Sequence, residues 1–96
     1  MSIDPQAFID TPEPPASAPL RALWFDARGD WGAAHRCVEE LCDPDAMWVH
    51  AYLHRKEGDA TNAFYWYARA GKSPCIAPLA AEWREILAAQ LGRVVP

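Results

Sequence analysis

Positive charge is scarce and scattered in this chain of 96 residues. Nine Lys and Arg stand against thirteen Asp and Glu, a formal net charge of −4. The densest basic group is the pair Arg55–Lys56, with Arg21, Arg28 and Arg36 isolated. A protein that tracks a phosphate backbone needs a block or stripe of cations, so no nucleic-acid partner is expected. Long apolar runs are missing too. No segment approaches the roughly 18 continuous apolar residues of a membrane-spanning helix, and residues 1–19 lack a basic region followed by an apolar run. No membrane partner is expected, and a cytoplasmic location follows by default. Cysteine is limited to Cys37, Cys42 and Cys75, an odd number without CxxC spacing, which reads as reduced, mostly structural thiols.

Motifs that carry chemistry are also few. Ser2, Ser17 and Ser73 fall in irregular segments, and Cys37 stands two positions after His35, on a different side of a helix. Neither supplies a nucleophile beside a base. There is no acidic pair placed for proton transfer, no glycine-rich phosphate cradle and no HExxH. No cofactor is implied. Enzymatic activity stays open, but these absences point to binding more than to catalysis.

What the chain does have is apolar residues, 51% of the total with five tryptophans, enough for a packed core. Five prolines at 5, 12, 14, 15 and 19 interrupt any helix over residues 1–19, which read as a Pro-rich tail or as a strap that Phe8 and Ile9 pin to the domain. Helical patterning starts at Leu20. Ser17 is a possible cap, Pro19 suits a first turn, and Gly29 stops the helix. Asp30 caps a second helix, WGAAHRCVEELC; the tract Asp43–Asp45 ends it and starts a third, AMWVHAYLHRKE, which stops at Gly58. Asp59 caps a fourth, ATNAFYWYARA, which stops at Gly71. After a loop comes LAAEWREILAAQL, with Gly92 as its stop and a short tail at 93–96. The expectation is an all-α domain over 20–92, about five helices in antiparallel hairpins.

A repeat underlies this pattern. At an offset of 29 residues Gly29 matches Gly58, Asp30 matches Asp59, Ala34 matches Ala63, Val38 matches Tyr67 and Leu41 matches Ala70. In both copies one helix ends at Gly-Asp and another begins at once, which makes each unit a tight hairpin. Small residues (Ala22 and Ala51, Ala34 and Ala63) and large ones further on (Phe25 and His54, with Met47 ahead in the second unit) complete the pattern. Over residues 20–75 it resembles the tetratricopeptide repeat and its Sel1-like relatives, with a period of 29 in place of about 34. The stretch HAYLHRKEGD at 50–59, followed by YWYARAG, is also similar to stretches in small bacterial and fungal proteins. The resemblance implies that the small residues stand where helices cross, in a helical scaffold that binds a protein or peptide.

Two candidate sites lie on the third helix. In the resemblance, Trp48, Tyr52, Arg55 and Lys56 take concave-surface positions, joined by Leu23 and Asp26 from the first unit and by Asn62 and Arg69 at the rim. Aromatic rings beside a guanidinium group can anchor an extended peptide or a carboxylate. Alternatively, Trp48 and Tyr52 are covered by the first hairpin or the strap, and Arg55 pairs with Asp26 or Asp59. On another face, His50 and His54 stand four apart, flanked by Met47, Ala51 and Glu57, and His35 could add a third nitrogen if the hairpins cross there. That spacing suits a metal or a small-ligand enzyme. It equally suits hydrogen-bonded imidazoles packed against the neighbouring helix. Finally, Phe64–Tyr67 are four consecutive aromatics that point around a whole helix; Trp83 is the expected partner of Tyr65 or Trp66, and a homodimer joined through Trp66 and Trp83 is the remaining possibility.

Overall fold

The computed structural model describes residues 4–94, and among them the chain is all helical. Six helices follow one another: α1 Pro5–Ile9, α2 Ala18–Ala27, α3 Trp31–Val38, α4 Pro44–Glu57, α5 Ala60–Ala70 and α6 Leu79–Val94. Helices α2 and α3 form one hairpin, α4 and α5 the other, and α6 lies across α2 and α4. The expected all-α hairpin stack is present, with one short helix added at the front.

Both corners work the same way. Gly29 and Gly58 sit at φ of 79° and 92°, the left-handed region that costs a side chain-bearing residue about 1–2 kcal/mol. The Gly29 amide donates to the Asp26 carbonyl and the Asp30 amide to the Phe25 carbonyl; Gly58 and Asp59 repeat this with Arg55 and His54. This paired bonding satisfies the last carbonyls of a helix. The aspartate then turns round to cap the next helix, with Asp30 Oδ1 accepting from the Ala33 amide at 3.0 Å and Asp59 Oδ1 from the Asn62 amide at 3.2 Å. Ala22, Ala34 and Ala51 are completely buried and Ala63 nearly so, because only a methyl group fits where the helices cross.

Four boundaries differ from the sequence reading, among them the start of α4, at Pro44 instead of Ala46. Helix α3 stops at Val38 instead of continuing through Cys42. Pro44 occupies the first turn of α4 and Asp43 before it is extended, ψ 150°, as a residue preceding proline prefers, so the intervening residues must unwind. Helix α2 begins two residues early, at Ala18. Gly92 does not end α6, which continues to Val94; a glycine inside a helix lowers its stability without forcing a stop. The expected tail at 93–96 is thus helical at its start, and residues 95–96 lie outside the described residues, as do 1–3.

The N-terminal segment from Asp4 on is a strap. Phe8 is buried with its ring 5.9 Å from that of Trp83. The Trp24 indole donates to Thr11, and the Arg28 guanidinium donates to the carbonyls of Ile9 and Thr11 while lying 3.9 Å over the Trp24 ring. Trp83 is therefore engaged by the strap and by the Leu23 carbonyl, to which its indole donates, and not by Tyr65 or Trp66. Of the four consecutive aromatics only Tyr67 is buried; Phe64 and Tyr65 stay more than half exposed.

A pair of glycine substitutions separates backbone strain from packing. Nothing lies within 4 Å of a Cβ added at Gly58 or Gly92, so neither change meets a clash. Gly58→Ala is expected to lower unfolding free energy by about 1 kcal/mol, and Gly92→Ala to raise it by about 0.5 kcal/mol. Urea denaturation followed by circular dichroism measures both.

Candidate functional site

Helix α4 is the axis of the molecule. Every residue from Ala46 to His54 is buried, so the polar atoms it carries must find partners inside the protein or remain unsatisfied at a cost of about 1–3 kcal/mol each. They divide into three groups.

The first group meets Glu82 of α6, which has no exposed surface. Its Oε2 accepts from the Trp48 indole at 3.2 Å and from the Tyr67 hydroxyl at 2.6 Å, and its Oε1 pairs with Arg55 at 2.7 Å. The second Arg55 nitrogen donates to the Ala77 carbonyl. Trp48 and Arg55 are thus held beneath α6, with Glu82 as the acid that Arg55 meets in place of Asp26 or Asp59. Lys72 lies 3.9 Å over the Trp48 ring.

The second group meets Asp26, which is 4% exposed. Asp26 accepts from the Tyr52 hydroxyl at 2.7 Å and from Lys56 Nζ at 2.8 Å. Burial, followed by the bond to Asp26, raises the Tyr52 hydroxyl above the ordinary phenol range. Here a cleft of about 490 Å³ opens between the strap, the end of α2, the last turns of α4 and the start of α6. Asp26, Tyr52 and Lys56 line it together with Ile9, Trp83 and Arg84. Of the residues expected to form a groove, these three reach it. Asn62 and Arg69 do not line it; Arg69 lies 4.9 Å over the Trp66 ring and donates to the Tyr65 hydroxyl.

The third group is the histidines. The hairpins do cross at His35: its Nε2 is 3.0 Å from Nε2 of His50, and one ligand nitrogen from each of His35, His50 and His54 lies within 4.8 Å of the others. His35 Nδ1 meets Glu39 at 3.1 Å, and His54 Nδ1 meets Glu57 at 2.6 Å. Indole rings close the cluster on two sides. Trp31 stacks on His35 at 4.9 Å with its indole nitrogen donating to the Leu53 carbonyl, and Trp66 stacks on His50 at 4.0 Å. His50 and His54 are buried, whereas the His35 side chain keeps 22% of its surface. Burial, and after it the neighbouring His35 and His54, lower the His50 imidazole to about 4.

Two participants escaped the sequence reading. Glu82 falls on the apolar stripe of α6, three and four residues from Leu79 and Ile86, and a carboxylate in such a stripe is a signal of a buried polar contact. Arg84 lies on the opposite side of its helix from Glu82, where no pattern distinguishes it from a solvated residue. No family model, curated protein or solved structure matches this chain.

The two buried groups make separable predictions. Glu82→Ala leaves Arg55, Trp48 and Tyr67 facing an empty space and is expected to cost about 3–5 kcal/mol, read from urea midpoints. For His50 the sign follows from linkage. The unfolded imidazole takes up a proton near pH 6.5 while the folded one resists until about 4, so stability is complete above the unfolded value and falls as pH drops through this window, by about 3 kcal/mol. Denaturation between pH 7.5 and 4.5 with EDTA present should show that decline, and His50→Gln should flatten it.

Proposed function

We propose that the chain is a small, non-enzymatic binding module of tetratricopeptide-like construction, whose ligand is a short peptide segment ending in a carboxylate. The observation that supports this reading is the cleft beside the strap. Its volume of about 490 Å³ falls in the range of about 300–1,000 Å³ that accommodates small ligands. Its chemistry is mixed in the way such sites require, with apolar walls from Ile9, Leu79 and Trp83 and a polar floor from Asp26, Tyr52 and Lys56. Arg84 stands at its edge with no hydrogen-bond or ion-pair partner among the described residues. A free guanidinium offers two parallel donors to a carboxylate.

The site differs from the groove first expected. Trp48 and Arg55 serve the interior, and the ligand surface moves toward the last turn of α4, where Tyr52 and Lys56 meet Asp26. The strap supplies one wall, so part of the concave surface is occupied by the chain's own N-terminal segment.

Synthetic tetrapeptide pools with free or amidated C-termini provide the test, followed by NMR shifts of the Trp83 indole proton. Free-acid pools should shift it saturably and amidated pools should not. Arg84→Ala, at an exposed position, should keep the fold and weaken binding about tenfold. Equal responses to both pools, or to wild type and variant, would remove the carboxylate reading.

A further inference from the structure

We propose that His35, His50 and His54 form a binding site for a divalent transition metal of the zinc class, a function separate from the cleft. Three ligands on two different hairpins converge on one point. His50 and His54 stand one turn apart on α4, and His35 reaches them from α3. A tetrahedral ion bound at about 2.0–2.1 Å needs its nitrogen ligands about 3.3 Å apart. The His35 and His50 nitrogens are 3.0 Å apart, and all three lie within 4.8 Å, so small ring rotations bring them to that spacing.

The surroundings select which nitrogens face the ion. Nδ1 of His35 and Nδ1 of His54 are each held by a carboxylate, Glu39 and Glu57. A neutral imidazole that donates its Nδ1 proton carries its lone pair on Nε2, the form that ligates a metal. Carboxylates behind ligating histidines are the usual second layer of such sites; they fix the tautomer and raise ligand basicity. Two carboxylates behind three neutral imidazoles also match the charge of a divalent ion. A structural imidazole stack needs neither feature.

Ligand type and access narrow the ion. Three nitrogens without a thiolate suit zinc, cobalt, nickel or copper and do not suit magnesium or calcium, which take oxygen. None of the three cysteines is among the converging groups. Trp31 and Trp66 stack against the rings, while His35 retains exposed surface. The ion enters on the His35 side, and its fourth position is left for water or a small anion, as in sites with three protein ligands.

Cobalt(II) is the probe, because its visible absorption reports coordination directly. Untagged full-length protein, titrated with cobalt chloride at pH 7.5, should develop the intense visible bands of a tetrahedral ion and saturate at one equivalent. Zinc chloride should then abolish the bands. His35→Gln, on the least buried of the three ligands, should keep the circular dichroism of the wild type and bind cobalt at least a hundredfold more weakly. Glu57→Gln should retain one equivalent with affinity reduced about 10- to 100-fold. No absorption up to millimolar cobalt would overturn the proposal. So would unchanged binding by a folded His35→Gln variant, since the ion would then sit elsewhere, at His54, Glu57 and Asp59.

Discussion

A carboxylate removed completely from water is tolerated only if every lone pair that matters is met by a donor. Glu82 fulfils that condition by drawing on two elements: Trp48 and Arg55 from α4, and Tyr67 from α5. Because these bonds are directional, they fix how α6 lies on the second hairpin more tightly than apolar contact alone. The position of α6 then sets Trp83 against Phe8 and the Leu23 carbonyl, and through Phe8 it sets the strap. The cleft has walls of strap and α6. It is a consequence of where one buried acid found its donors.

Helix α4 shows the same logic from the other partner's side. A helix covered all round is usually apolar all round, yet α4 carries Trp48, His50, Tyr52, His54 and Arg55 among its buried and half-buried residues. Successive polar groups point in different directions at about 100° per residue, and so each meets a different neighbour: Glu82 on α6, Asp26 on α2, His35 on α3. The helix thereby contributes different side chains to the cleft and to the histidine cluster. The cleft uses Tyr52 and Lys56, the histidine cluster uses His50 and His54, and the backbone of one rigid element holds both.

The corners were legible because their chemistry is local. Only glycine enters the left-handed turn without strain, and only a short polar side chain folds back to cap the helix that follows, so Gly29–Asp30 and Gly58–Asp59 identify themselves. The alanines at the crossings follow from the same repeat. The end of α3 was less legible: Glu39–Cys42 has helical composition, and its unwinding comes from Pro44 further on. The strap was ambiguous for a different reason. Its prolines forbid a long helix but leave Phe8 free to dock, and docking depends on a hydrophobic slot that other elements build.

Local sequence determined the helices, their corners and the face on which His50 and His54 stand, since all of these rest on interactions within a few residues. Pairings across the chain were decided only by tertiary structure. Arg55 had several acids within plausible reach, and which one it met depended on the path of α6. His35 approached His50 only because the first hairpin crosses α4 at that turn. A side chain's type limits what it can bond to, but the choice among distant partners is made by how whole helices pack, and that is a property of the entire core.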